Sequence, residues 1–144
     1  MSVPNFTTAL SASINKEKFT PEVQAAAAKV DISAFSAAIE AVLAGEETAT
    51  VEGEQAAALK SAFEFAVELV KMLNKEPGVD DKLNLYKYFK RSRNETPAQP
   101  GMFAMEAKYK YNAWKEIQHI SEGRAQAEYI KQVDTLIGKI GTRE

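Results

Sequence analysis

The chain has 144 residues, 45% hydrophobic and 26% charged, with a formal net charge of -2. That balance suits one soluble globular domain, or a small domain with an appendage. It contains no cysteine and a single histidine, His119, which excludes disulfides, thiolate catalysis and cysteine-based or multi-histidine metal sites, and leaves one imidazole for any Ser-His-Asp arrangement.

We therefore expect no enzyme, no metal and no cofactor. No apolar run approaches a bilayer span, and MSVPNFTTALSASINKEKF lacks a basic n-region and an apolar h-region, so we expect a soluble, cytoplasmic protein without stable membrane insertion. Residues 1–60 carry four lysines against eight acids, and residues 61–144 carry fourteen basic against twelve acidic residues. The C-terminal part is thus the expected partner of an anion, yet it is not basic enough for a nucleic-acid footprint.

Residues 1 to about 19 show no sustained period and are read as loop or disordered. Thr20 is a candidate N-cap with Pro21 at the first helical position and Glu22 in the first turn, opening a short alanine-rich helix through PEVQAAAAKV. Asp31 caps the next, ISAFSAAIEAVLAG, where Ile32, Phe35, Ile39, Val42 and Leu43 form a stripe and Gly45 offers a C′ stop. Together they are expected to make a short helical hairpin, too small to fold alone.

After the polar joint EETATVEGE, a long helix is predicted from about Glu52 to Asn74, ended by Pro77 and Gly78. At about 100° per residue, Phe63, Ala66, Val67 and Val70 fall on one arc and Ala62, Phe65, Leu69, Met72 and Leu73 on its neighbour. The combined arc is wider than a helix packed on one side requires. One arc is expected to face the C-terminal helices, the other the N-terminal hairpin or a partner.

Three more helices are predicted, over about 79–94, about 103–120 and about 124–140. Tyr129, Val133, Leu136, Ile137 and Ile140 stripe the last. No strand pattern competes. The stretch from Tyr86 to Trp114 gathers the rings and much of the positive charge. Tyr86, Phe89 and Lys90 share one helical face with Arg93 a turn further, the loop NETPAQPG breaks the helix, and Lys108 and Lys110 follow among Tyr109, Tyr111 and Trp114. Aromatic faces for a base and cations for phosphates are what a nucleotide-like ligand needs. Trp114 is assigned to the core, and His119 to the surface or a cap.

The C-terminal 80 or so residues resemble the acyl-CoA-binding protein family. The ordered pieces are FEFAVELVKML, LYKYFK, the PGM of the loop, AKYKYNAW and AEYIKQVDTL, over roughly residues 58 to 141, with a loop about two residues short before Pro100. The resemblance implies an all-α fold, a four-helix up-down-down-up bundle, here preceded by the hairpin, with residues 1–55 as extension and 56–144 as the acyl-CoA-binding domain. It implies non-catalytic binding and transport of long-chain fatty acyl-CoA, possible delivery to acyl-CoA-using enzymes, and a monomer.

By resemblance, Tyr86, Lys90 and Lys110 meet the ribose 3′-phosphate, Phe89 lies against the adenine, Tyr129 adds a contact at the nucleotide end, and Lys71 sits at the rim. Lys87 and Tyr88, inside the same LYKYFK motif, complete the candidate set. The chain departs from the family's pattern in several places. Phe89 stands where tyrosine is usual, KRSR where the family has a KQAT-like run, Tyr111 where tryptophan is common, and Glu106 where lysine is frequent. Phe65, Leu69 and Met72 occupy positions more often polar, which fits a covered form of the domain. The alternative reading is a helical protein-interaction module with weakened acyl-CoA binding.

Overall fold

The computed structural model describes residues 3–98, 100–102 and 104–143. Among these, seven α-helices follow one another: α1 (Pro4–Ile14), α2 (Pro21–Ala28), α3 (Ile32–Ala44), α4 (Gly53–Leu69), α5 (Val79–Ser92), α6 (Met105–Glu116) and α7 (Glu122–Ile140). There is no strand among the described residues, only an isolated bridge between Leu73 and Thr142. α4 tightens into a single 3-10 turn, Val70–Met72, before the chain turns away.

The first helix corrects the expectation that residues 1–19 are loop or disordered. Pro4 lies in the first turn of α1, where its missing N–H is no loss. Phe6, Ala9, Leu10 and Ser13 then form a buried stripe at helical spacing. A second reason lies far along the chain, since the Phe6 N–H donates to Asp134 Oδ1 of α7 at 2.8 Å. A carboxylate at a helix N-terminus satisfies an otherwise orphaned donor and opposes the positive end of the dipole.

α2 and α3 begin as the sequence suggests. The Thr20 hydroxyl oxygen accepts from the Val23 N–H at 3.4 Å, and Asp31 Oδ1 from the Ala34 N–H at 3.1 Å. α2 packs on both α4 and α1, and α3 chiefly on α4. Gly45 ends α3 with φ −88°, so its role is not the left-handed stop expected of it. A Cβ there would come within 2.8 Å of the Ala49 Cβ; the position is glycine because the chain doubles back tightly.

α4 is the shared wall. Phe65 meets Phe6 with ring centroids 5.5 Å apart, and Phe6 meets Phe35 at the same separation. On its other side Phe63 faces α5 and α7. α4, α5, α6 and α7 form the expected four-helix bundle, and one hydrophobic cluster runs from Val3 through Phe65 to Val133. The core therefore crosses the boundary expected between residues 55 and 56. No helix among the described residues is long and apolar enough to cross a membrane.

α6 ends at Glu116, earlier than the expected Ile120; its expected start at Phe103 lies outside the described residues. The shortening has a tertiary cause. The Ser121 N–H donates to Glu47 O at 3.1 Å, its hydroxyl to Ala49 O at 2.6 Å, and His119 pairs with Glu47. The joint before α4 thus pulls residues 117–121 out of helical register. Removing the α1 anchor tests the shared core: Phe6→Ala should cost the whole chain about 3–5 kcal/mol in one cooperative urea transition, and an unchanged midpoint would mean that α1 is not part of that core.

Candidate functional site

Both ends of α5 are tied down. Near its start, Asp81 accepts from Gln132 Nε2 and Lys139 Nζ of α7, each at 3.1 Å. Near its end, Arg91 Nε donates to Ile120 O at 2.8 Å. Between these anchors α5 presents Tyr86 and Phe89 to a groove of about 550 Å³ shared with α6 and α7. Phe89 packs in a three-ring cluster, 6.1 Å from Phe63 and 6.4 Å from Tyr129, while Phe63 and Tyr129 meet edge to face at 5.1 Å. Phe89 and Tyr129 form the groove's floor, with Phe63 packed behind them.

Two cations approach the same ring. Lys90 Nζ lies 5.9 Å from the Tyr86 centroid and Lys110 Nζ 5.4 Å from it, one from α5 and one from α6. Each is also paired with an acid: Lys90 with Glu95 at 3.3 Å, Lys110 with Glu106 at 3.4 Å. The placement of Glu95 follows from how α5 stops. Asn94 adopts φ 55°, the Glu95 N–H returns to Lys90 O at 2.9 Å and the Asn94 N–H to Arg91 O at 3.1 Å. This Schellman closure satisfies the last carbonyls, and it folds the Glu95 carboxylate onto Lys90 and onto Arg93, 3.6 Å away.

Of the residues singled out in the sequence, Tyr86, Phe89, Lys110 and Tyr129 line the groove, and Lys90 stands over Tyr86. The others lie elsewhere. Lys87 stacks on Tyr88 at 5.1 Å and faces a separate cleft toward α6. Tyr88 packs against the core, and its phenol is shifted upward by burial and then by the nearby Glu128 charge. Lys71 projects from the 3-10 turn at the surface, paired with Glu68 at 2.9 Å. Trp114 is buried, as assigned, with its Nε1 unpartnered.

The groove also uses residues that the sequence did not single out as its walls: Val79, Leu83 and Leu85 supply apolar surface, and Lys82 and Tyr109 flank it. Leu83 and Tyr86 stand at i and i+3 with Val79 a turn earlier, a signal visible in the sequence but attributable equally to packing. Among the described residues no cluster of three or more His, Asp or Glu side chains could hold a metal ion. What remains is an apolar trough with a ring floor and a pair of ammonium groups at one place along it, a binding surface for an amphipathic anion.

The fold and this groove thus define a small helical ligand-binding protein. A family model described as "Acyl CoA binding protein" matches residues 60–133. Relatives agree: an acyl-CoA-binding protein of Gossypium hirsutum is 38% identical over 86 residues, covering 58% of this chain and 97% of that protein. A homolog of that protein type from Drosophila melanogaster is 40% identical over 80 residues, 54% of this chain and 92% of its own length. Homolog 1 of Caenorhabditis elegans is 37% identical over 82 residues, 56% and 95% respectively. The chain belongs to the acyl-CoA-binding protein family.

Two expectations follow from the geometry. Glu95 pairs with Lys90, which stands over Tyr86, and with Arg93, so Glu95→Gln should tighten binding of a phosphorylated anionic ligand by about two- to fivefold, the range of a partly exposed ion pair, with the gain shrinking as salt rises; weaker binding would refute the assignment. Burial pushes the Tyr129 phenol well above its ordinary value of 10.0. The unfolded chain therefore loses that proton first, and stability is complete below that value and falls as pH rises past it. Alkaline melting curves of Tyr129→Phe should be flatter than those of the parent above that pH.

Proposed function

We propose that the protein binds long-chain fatty acyl-CoA thioesters without reacting with them, sequestering and carrying them in a soluble compartment, expected to be the cytoplasm. The observation that carries the reading is the approach of Lys90 and Lys110 to one ring, Tyr86, beside Phe89 in a groove with apolar walls. Charge-assisted hydrogen bonds from two ammonium groups suit a phosphorylated ribose. Each acyl methylene buried against Val79, Leu83 and Leu85 adds about 0.8 kcal/mol.

The family membership and the names of the relatives support the same ligand. Glu95 and Glu106 are the counter-ions of these lysines, and on this reading a phosphate takes the place of a carboxylate at each. The interaction-module alternative drew part of its support from the second apolar arc of α4, which α1, α2 and α3 cover within this chain.

Titration calorimetry with palmitoyl-CoA, palmitate and free CoA tests the proposal. One palmitoyl-CoA per chain is expected, with palmitate far weaker. Lys90→Ala combined with Lys110→Ala should lower palmitoyl-CoA affinity by about a hundredfold or more while leaving thermal stability nearly unchanged. Equal affinities for palmitate and palmitoyl-CoA would overturn it.

A further inference from the structure

Phe89 has two accessible sides. One belongs to the groove; the other lines a second cleft of about 280 Å³, closed on its far side by α2 of the N-terminal extension. Ala26 and Lys29 form that far wall, Phe63 and Val67 of α4 the floor, and Arg93 the lip, its Cζ lying 5.2 Å from the Phe89 ring centroid. The two hollows differ in chemistry. The groove offers continuous aliphatic surface from Val79, Leu83 and Leu85, whereas the cleft surrounds a small aromatic and aliphatic floor with cations and with the carboxylates of Glu64 and Glu68.

A flat heterocycle with apolar faces and a hydrogen-bonding edge fits the second description, and an acyl chain fits the first. A base inserted against Phe89 gains stacking area, an amino group on its edge can donate to a cleft carboxylate, and guanidinium or ammonium groups at the lip balance the phosphates attached to it. The family match begins at residue 60, so Ala26 and Lys29 lie outside it.

We propose that the extension is part of the binding site: α2 supplies one wall of the subsite for the purine end of the ligand, with Ala26 setting its width and Lys29 adding a cation at its edge. The inference rests on the acyl-CoA reading above. It makes the extension a determinant of how the nucleotide, as distinct from the acyl chain, is recognised.

The full chain and two variants, Ala26→Trp to fill the cleft and Lys29→Glu to reverse its edge charge, are titrated with palmitoyl-CoA and with S-palmitoyl-pantetheine, which lacks the nucleotide. Expected are about a tenfold loss of palmitoyl-CoA affinity for Ala26→Trp, a several-fold, salt-sensitive loss for Lys29→Glu, and no change in S-palmitoyl-pantetheine binding for either. Photolabelling of the unmodified protein with an 8-azidoadenine analogue of palmitoyl-CoA is the second measurement, independent of whether Ala26→Trp folds; label on the peptide spanning residues 21–30 is expected. If the parent protein binds palmitoyl-CoA but both variants match it, or if label is confined to α5 and α6, the inference is overturned and the acyl-CoA reading stands. If the parent binds no palmitoyl-CoA, both fall.

Discussion

Phe63 and Phe65 are two residues apart on α4, and on a helix that spacing sends their side chains to nearly opposite sides. Both are buried, at 4% and 0% exposure, so α4 must have protein on both flanks. Phe65 is enclosed by Phe6 and Phe35, and Phe63 by Phe89 and Tyr129. Fully burying a side chain of this size contributes about 1.5–3 kcal/mol, a large part of the net stability of a small domain. The extension and the bundle are therefore energetically one body, and displacing α1–α3 would expose Phe65, Leu69 and Met72 as a contiguous apolar face.

That constraint reaches the binding surface through the second ring cluster. Phe63 is fixed by the core and Tyr129 is buried in α7, so the Phe89 ring is held on a prepared support. The Asp81 and Arg91 ties then fix α5 at both ends. α6 is held differently, packing chiefly on α5. The groove thus lies between one wall tied down at both ends and another held chiefly through α5.

Much of this architecture was legible in the residues. Thr20 and Asp31 act as N-caps because short polar side chains reach the N–H groups three residues on, and the two apolar arcs of α4 announced two sets of neighbours. α1 was missed because its stripe is only Phe6, Ala9, Leu10 and Ser13, and its anchor, Asp134, is 128 residues from Phe6. No local pattern encodes such a partner. Within LYKYFK the helical period separates Tyr86, Phe89 and Lys90 from Lys87 and Tyr88. Treating the motif as a block erased that distinction, and the structure restores it by putting Lys87 and Tyr88 outside the groove.

The acids beside the cations bear on how selective such a groove can be. Two ammonium groups facing one ring with no counter-ion would raise each other's energy and attract any anion. Glu95 and Glu106 relieve that repulsion, and the partly exposed pairs they form are individually weak. A ligand bearing one charge gains little by displacing a carboxylate that already occupies the site. A phosphate carrying nearly two charges, attached to a base and a chain that add contacts of their own, gains on every count. On the acyl-CoA reading proposed above, discrimination against simple anions would come from the competing carboxylates and affinity from the apolar surface of Val79, Leu83 and Leu85.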